Sequence, residues 1–368
     1  MEGLTTPAEF GRFFLPGPTE VRPGILRAQS RPVIGHRGPA ISELFEELQA
    51  GLKMVFLTQR PVLVSSSSAT GLMEAAVRNG ARRSVLALVN GAFSARFAHI
   101  AESCGLEVDR LEVPWGSAHD PAEVERALGA GAYDAVTVVH SETSTGALNP
   151  LPELAEVVGG REDIVLLVDS VTGLGGTEVQ TDAWGLDFVL TGSQKALALP
   201  PGLAFGVASQ EMMNRSRHAK AKGVYFDLAA FEDNLARLQT PNTPALTLLY
   251  ALQAQLRCIE TETMEARWAR HAAMAERTWD WVKDLREASG RDFRVLAPEG
   301  ARSPTVTAVA LPDDLRGPAV VEAVRDRGWV IGGGYGKLKE GSIRIGHMGD
   351  HTVSELDALL DQLSEVLA

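Results

Sequence analysis

The sequence predicts an α/β protein with a mostly parallel central sheet flanked by helices, followed by a smaller α+β unit. Three observations support this. Compact apolar runs recur through the first part of the chain, each bounded by Gly, Pro, Ser or Asn. Their apolarity is continuous rather than alternating, as expected of strands covered on both faces. Helical patterns stand between several of them, as parallel strands require.

Along the chain, Ile41, Leu44, Phe45, Leu48, Leu52, Val55 and Phe56 fall at helical spacing over 41–56. Strands are expected at 61–65, 84–89, 133–139, 164–168, 187–190 and 203–208, with helices around 70–79, 92–103 and 120–129. The texture changes near residue 245. A long helical segment, roughly 245–287, carries Trp268, Trp279 and Trp281, which read as packing residues. Strands at 293–296, 305–311 and 342–345 and helices at 318–327 and 353–367 complete the chain. The expected division is a large α/β domain over 22–245 and a small α+β domain from 1–21 with 246–368.

Composition agrees. A chain of 368 residues exceeds what one simple core usually covers. Its 45% hydrophobic and 22% charged residues are ordinary for a soluble globular protein. A net charge of −12 argues against nucleic acid and anionic membrane as partners, without excluding a local cationic pocket. The two cysteines, Cys104 and Cys258, stand outside any Cys-x-x-Cys pattern, which argues against a disulfide scaffold or a cysteine zinc site. Both are expected to be buried apolar side chains. No secretory pattern opens the sequence and no run of about 18 apolar residues occurs, so a cytoplasmic location is expected.

Residues 166–202 carry the most chemical information. Asp169 ends an apolar strand, where α/β sheets present functional groups. Lys195 follows the next strand, among apolar residues and Pro200-Pro201-Gly202. Desolvation there would lower its pKa and free a neutral amine to attack an aldehyde. Taken alone, the pair would read as a turn aspartate and a structural lysine. Ser65–Gly71 (SSSSATG) follows a strand and opens a helix, which suits either a phosphate or an ordinary cap.

Val168-Asp169-Ser170-Val171, the Gly175-Gly176-Thr177 after it and Ser193-Gln194-Lys195-Ala196-Leu197 resemble the class V aminotransferase family. The similarity runs from Leu15-Pro16-Gly17-Pro18-Thr19 to Ile343–Gly349, and alanine–glyoxylate and serine–pyruvate aminotransferases look nearest. The resemblance implies a fold-type I homodimer, with pyridoxal 5'-phosphate bound between domains and subunits in the larger domain's site. It implies that Lys195 forms the Schiff base to the cofactor and that Asp169, with Val171 beside it, faces the pyridine nitrogen. Ser68, Ala69, Thr70 and Gln194 would hold the phosphate. Phe93 would stack on the ring, and Thr143 would point a hydroxyl toward it. Thr240 and Thr243 would reach the phosphate of the other subunit's cofactor. Arg344 would grip the substrate α-carboxylate, and Gly17 with His36-Arg37 would line the entrance.

The activity implied is ping-pong transfer of an amino group from a small amino acid, alanine or serine, to glyoxylate or pyruvate. Aminoethylphosphonate transamination and a lyase or desulfurase reaction are the alternatives on this scaffold. His140 and Glu142 read as loop-supporting residues. No metal site is expected: His347 and His351 flank Gly349-Asp350 and do not form a ligand pattern.

Overall fold

In the computed structural model, which describes residues 10–161 and 163–367, seven strands form the larger sheet. Their order is Val62–Ser65, Ala204–Ala208, Phe188–Gly192, Val165–Asp169, Ala135–Val139, Ser84–Val89 and Glu107–Glu112. Pairing from Phe188–Gly192 across to Glu107–Glu112 is parallel. Ala204–Ala208 runs against both of its neighbours.

The continuous apolar runs are buried along their whole length, as the sequence implies. The helices Pro39–Phe56, Ala69–Gly80, Ala92–Ser103 and Pro121–Ala130 also fall where the pattern places them. Glu107–Glu112 was not expected. Its sequence, EVDRLE, is mostly charged because it is an edge strand with exposed side chains.

The smaller sheet has five strands in the order Phe13–Phe14, Val330–Gly333, Ser342–Gly346, Val306–Ala310 and Arg294–Val295. Phe13–Phe14 joins it in parallel, so the N-terminal segment is stitched to the C-terminal unit. Phe14, Val309, Ile343 and Ile345 share a second core with Leu356, Leu359 and Leu363 of the closing helix Val353–Leu367.

Three expectations need correction. The long helical segment is two helices, Leu246–Glu262 and Met264–Ser289, broken at Thr263, whose φ of +70° lies in the left-handed region. The first of them buries Leu249, Leu252, Leu256 and Ile259 in the larger core. By packing it belongs with the larger sheet, as do Met264 and Trp268 at the start of the next helix, whereas Met274, Trp281 and Val282 lie in the smaller core. The cysteines are not both buried: Cys104 is half-buried, and Cys258 is exposed on the helix face away from that apolar stripe. The tryptophans do pack. Trp281 lies in the smaller core, Trp268 against the larger, and Trp279 Nε1 donates to Thr307 Oγ1 at 2.9 Å. The expectation for residues 1–9 lies outside the described residues. Among those described, no helix is long and apolar enough to cross a membrane.

Candidate active site

Asp169 is the last residue of the central strand Val165–Asp169, and Lys195 sits in the turn after the adjacent strand Phe188–Gly192. The carboxyl ends of parallel strands thus bring both to one edge of the sheet. Several bonds shape the lysine turn. Ala198 N–H and Thr19 Oγ1 both donate to Lys195 O, at 2.8 and 3.1 Å. Buried Arg267 donates to Ala196 O at 2.6 Å while pairing with Asp350 and Glu262. Sequence reading missed this support, because Arg267 lies far along the chain in the helix Met264–Ser289.

Lys195 is 9% exposed, and its Nζ donates to Pro16 O at 2.6 Å. Burial lowers its pKa to about 8; nearby Arg344 adds to the fall, and Asp169 opposes it. Asp169 is pushed up to about 7 by burial, against the hydrogen bond from Val171 N–H at 2.8 Å. Among the described residues no cation lies within ion-pair distance of this buried carboxyl. Gly17 closes the other side. Its φ is +106°, and a Cβ there would come within 2.2 Å of Lys195 Nζ.

A cavity of about 240 Å³ opens between these groups. Its walls include Gly17, Ser68, Ala69, Thr70, Phe93, Thr143, Asp169, Val171, Gln194 and Lys195, all anticipated from sequence. Four anticipated residues lie elsewhere. Thr240 and Thr243 lie in a separate small recess with Ser66 and Tyr225, and Thr240 Oγ1 bonds to Asn242 O of its own turn. Arg344 stands beside the cavity rather than on its wall, donating to Gly333 O and Thr143 O at 2.8 and 3.1 Å. The Tyr335 ring is 5.5 Å from its guanidinium. Arg37 also misses the entrance; it is exposed and bonds to the carbonyls of His36 and Pro241.

Two polar features face the cavity without protein partners. Ser68 caps the helix Ala69–Gly80 but makes no side-chain capping bond; Gly71 N–H donates to Ser68 O at 2.9 Å, and the N–H groups of Ala69 and Thr70 have no intrahelical acceptor. Gln194 Oε1 is buried and unpaired. Thr143 Oγ1 lies 3.0 Å from Thr172 Oγ1, whose single hydrogen goes to Ser141 O at 2.8 Å. Thr143 is therefore the donor in that pair, leaving an acceptor lone pair on its oxygen.

Glu142 and His140 support this framework, as expected. The buried Glu142 carboxylate accepts from Phe93 N–H and Ser94 N–H at 3.2 and 2.9 Å, capping the helix Ala92–Ser103 from below. His140 Nδ1 pairs with Ser170 Oγ at 3.1 Å, and burial lowers its pKa to about 4. Met73, Arg96, Ser141, Thr172 and Tyr335 also line the cavity and were not anticipated. Arg96 was within reach of the pattern, one helical turn after Phe93 on the same face. A larger cavity of about 570 Å³, around Arg78, Cys104 and Lys220, contains none of the anticipated site residues.

These features fit a flat, anionic, aromatic cofactor. Helix N–H groups suit a phosphate, a buried carboxyl lacking a cation suits a protonated pyridine nitrogen, and a desolvated amine suits an aldehyde. Fold and site together define a pyridoxal-phosphate-dependent transferase. Comparison with known proteins gives the family. The chain belongs to the class-V aminotransferases, whose family pattern matches residues 34–335. It is 39% identical to an uncharacterized aminotransferase of Methanocaldococcus jannaschii, over 91% of this chain and 87% of that protein. Alanine–glyoxylate aminotransferase of Rattus norvegicus is 32% identical, over 100% and 90%. The crystal structure of alanine–glyoxylate aminotransferase from Nostoc sp. superposes with a TM-score of 0.92 at 31% identity, covering 100% of this chain and 97% of that one. The protein is a pyridoxal-phosphate-dependent aminotransferase of fold type I.

Proposed function

We propose that this aminotransferase moves the amino group of alanine or serine to glyoxylate or pyruvate in a ping-pong reaction. The observation that carries this reading is that Lys195 and Asp169 line one cavity of about 240 Å³. The names of the rat and Nostoc relatives support the same donor and acceptor class.

Pyridoxal phosphate, when bound, supplies an aldehyde that captures amines and a pyridinium that withdraws electrons. The protein's own groups do the rest. Ser68, Ala69, Thr70 and Gln194 hold the phosphate. Phe93 would cover the ring, and Thr143 and Val171 would hold it from the same cavity wall. Asp169 keeps the ring nitrogen protonated by offering it a buried carboxylate. Lys195, with its pKa near 8, has a neutral amine available near physiological pH; it would take the α-proton and return it two bonds away, to the carbon that the cofactor's aldehyde supplies. Arg344 takes the α-carboxylate by exchanging its bond to Thr143 O for a charge-assisted one.

In this reading the enzyme is a homodimer, with Thr243 turned toward the other subunit's phosphate site, while Thr240, buried and bonded to Asn242 O, shapes the turn that carries it. The exposed position of Thr243, outside its own cavity, supports that role. A cytoplasmic location is supported by two unpaired cysteines, one of them exposed, which suits a reducing compartment. Neither cysteine lines the active-site cavity, so the desulfurase alternative lacks its nucleophile. Chromatography of products from alanine or serine with glyoxylate tests the reading: glycine should form with either donor. No glycine from any small donor, with turnover of aminoethylphosphonate, would replace it.

A further inference from the structure

Among the described residues Arg267 is the bulkiest fully buried side chain, at 1% exposure. Its guanidinium reaches three acceptors at once. Nη2 donates to Ala196 O at 2.6 Å, and Nη1 donates to Asp350 Oδ1 and Glu262 Oε2 at 2.9 and 2.8 Å. The first acceptor is the carbonyl next to Lys195. Further along the helix, Arg270 donates to Gly349 O and His351 O. His271 lies between Gly176 O, at 3.1 Å, and the Gly349 peptide, whose N–H is 3.2 Å from Nε2. Residues 267, 270 and 271 share one face of the helix Met264–Ser289. That face gathers the turn holding Lys195, the loop after Asp169 and the turn that follows the strand of Arg344.

The lysine turn needs such a hold. Ala198 closes it with a φ of +51°, a left-handed conformation that costs an L-residue energy and persists only where the surroundings fix it. Stability alone does not call for an ion pair here, because apolar side chains of similar volume are often as stable as a buried pair. A planar fork is what serves Ala196 O, Asp350 and Glu262 together. Without Arg267, Asp350 keeps Arg22 and Gln255, and Glu262 keeps Arg270, so neither acid is stranded. What is lost is the grip on the lysine turn.

We propose that Arg267, braced by Asp350, is a positioning residue for amino transfer: acting through Ala196 O, it fixes where the Lys195 amine stands in the cavity. This inference rests on the role assigned to Lys195 above.

The test has one readout without cofactor and one with it. In the apoprotein, acetic anhydride labelling of Lys195 is followed by mass spectrometry across pH. In the cofactor-loaded enzyme, kcat and KM are measured for alanine with glyoxylate. The variants are Arg267→Met, Arg267→Lys and Asp350→Asn, with Leu363→Ala in the smaller core as a control for lost stability alone. Arg267→Met should lower kcat by at least about tenfold and change the donor KM by less than about threefold, as a displaced reacting group does. Its labelling midpoint should rise from about 8 by about one pH unit, as the loosened amine reaches water. Arg267→Lys should recover part of both. Asp350→Asn, which keeps an acceptor, should show smaller shifts in the same directions, and it decides the matter if Arg267→Met does not fold. Leu363→Ala should leave kcat and midpoint at wild-type values. Arg267 and Asp350 variants that match Leu363→Ala in both readouts would overturn the inference and leave the role of Lys195 intact. A midpoint that moves while kcat holds would keep the positioning and remove Lys195 from the chemistry.

Discussion

Lys195 Nζ donates a 2.6 Å hydrogen bond to the carbonyl oxygen of Pro16, a residue 179 positions earlier. The reactive amine is thus aimed by the N-terminal segment that also contributes Phe13–Phe14 to the smaller sheet. The neighbouring Gly17 leaves the space the amine occupies, so the approach of these two segments governs the site.

Gly17 and Gly38 separate backbone from space. Both have left-handed φ, +106° and +110°, but a Cβ at Gly38 meets nothing within 4 Å, whereas one at Gly17 overlaps Lys195. Both alanine variants should lose stability by about 1–2 kcal/mol from the backbone alone. Only Gly17→Ala should also weaken cofactor incorporation, by at least about tenfold. Urea unfolding and cofactor titration check the two halves.

Replacing Lys195 by Ala should abolish covalent attachment of the cofactor while leaving phosphate-mediated binding measurable. Borohydride reduction followed by peptide mass analysis should place the cofactor on Lys195 in wild type and nowhere in the variant.

The lysine also sets a pH dependence. With a pKa near 8, about a quarter of its amine is neutral at pH 7.5, against about 0.1% for an ordinary lysine. Cofactor attachment to the apoprotein should therefore accelerate with pH and level off above about 8. The folded pKa lies below the unfolded value, so the buried charge destabilises the apoprotein most below pH 8. The Lys195→Met apoprotein should be the more stable at pH 7, with its advantage shrinking as pH rises from 8 through 10.5. Denaturant titrations at several pH values measure this.

Asp169→Asn should keep the cofactor but lower kcat by at least about 10²-fold, because a neutral amide cannot hold the ring nitrogen protonated. Single-turnover kinetics would show the loss in proton transfer rather than in binding.

Glu142→Ala should destabilise the fold by about 2–3 kcal/mol, since the buried N–H groups of Phe93 and Ser94 lose their acceptor. Unfolding by urea measures it.

Much of this was legible in the sequence. Buried parallel strands are continuous apolar runs, so Ala135–Val139 and Val165–Asp169 stood out, and the residues at their carboxyl ends could be read as the site. Residues Ser68–Thr70 announced a helix start after a strand. Edge strand Glu107–Glu112 did not show, because one-sided pairing leaves its charges in water. The break at Thr263 was hidden because neither Gly nor Pro marks it. Tyr335 was missed because its meeting with Arg96 depends on how the smaller sheet docks against the helix Ala92–Ser103. No local pattern encodes that.

The most direct test of the central claim is the half-reaction on Lys195. Wild type loaded with pyridoxal phosphate should lose its long-wavelength absorption on adding alanine or serine, and regain it on adding glyoxylate. An absorption unchanged by every amino acid tried, acidic ones included, would contradict transamination at this site.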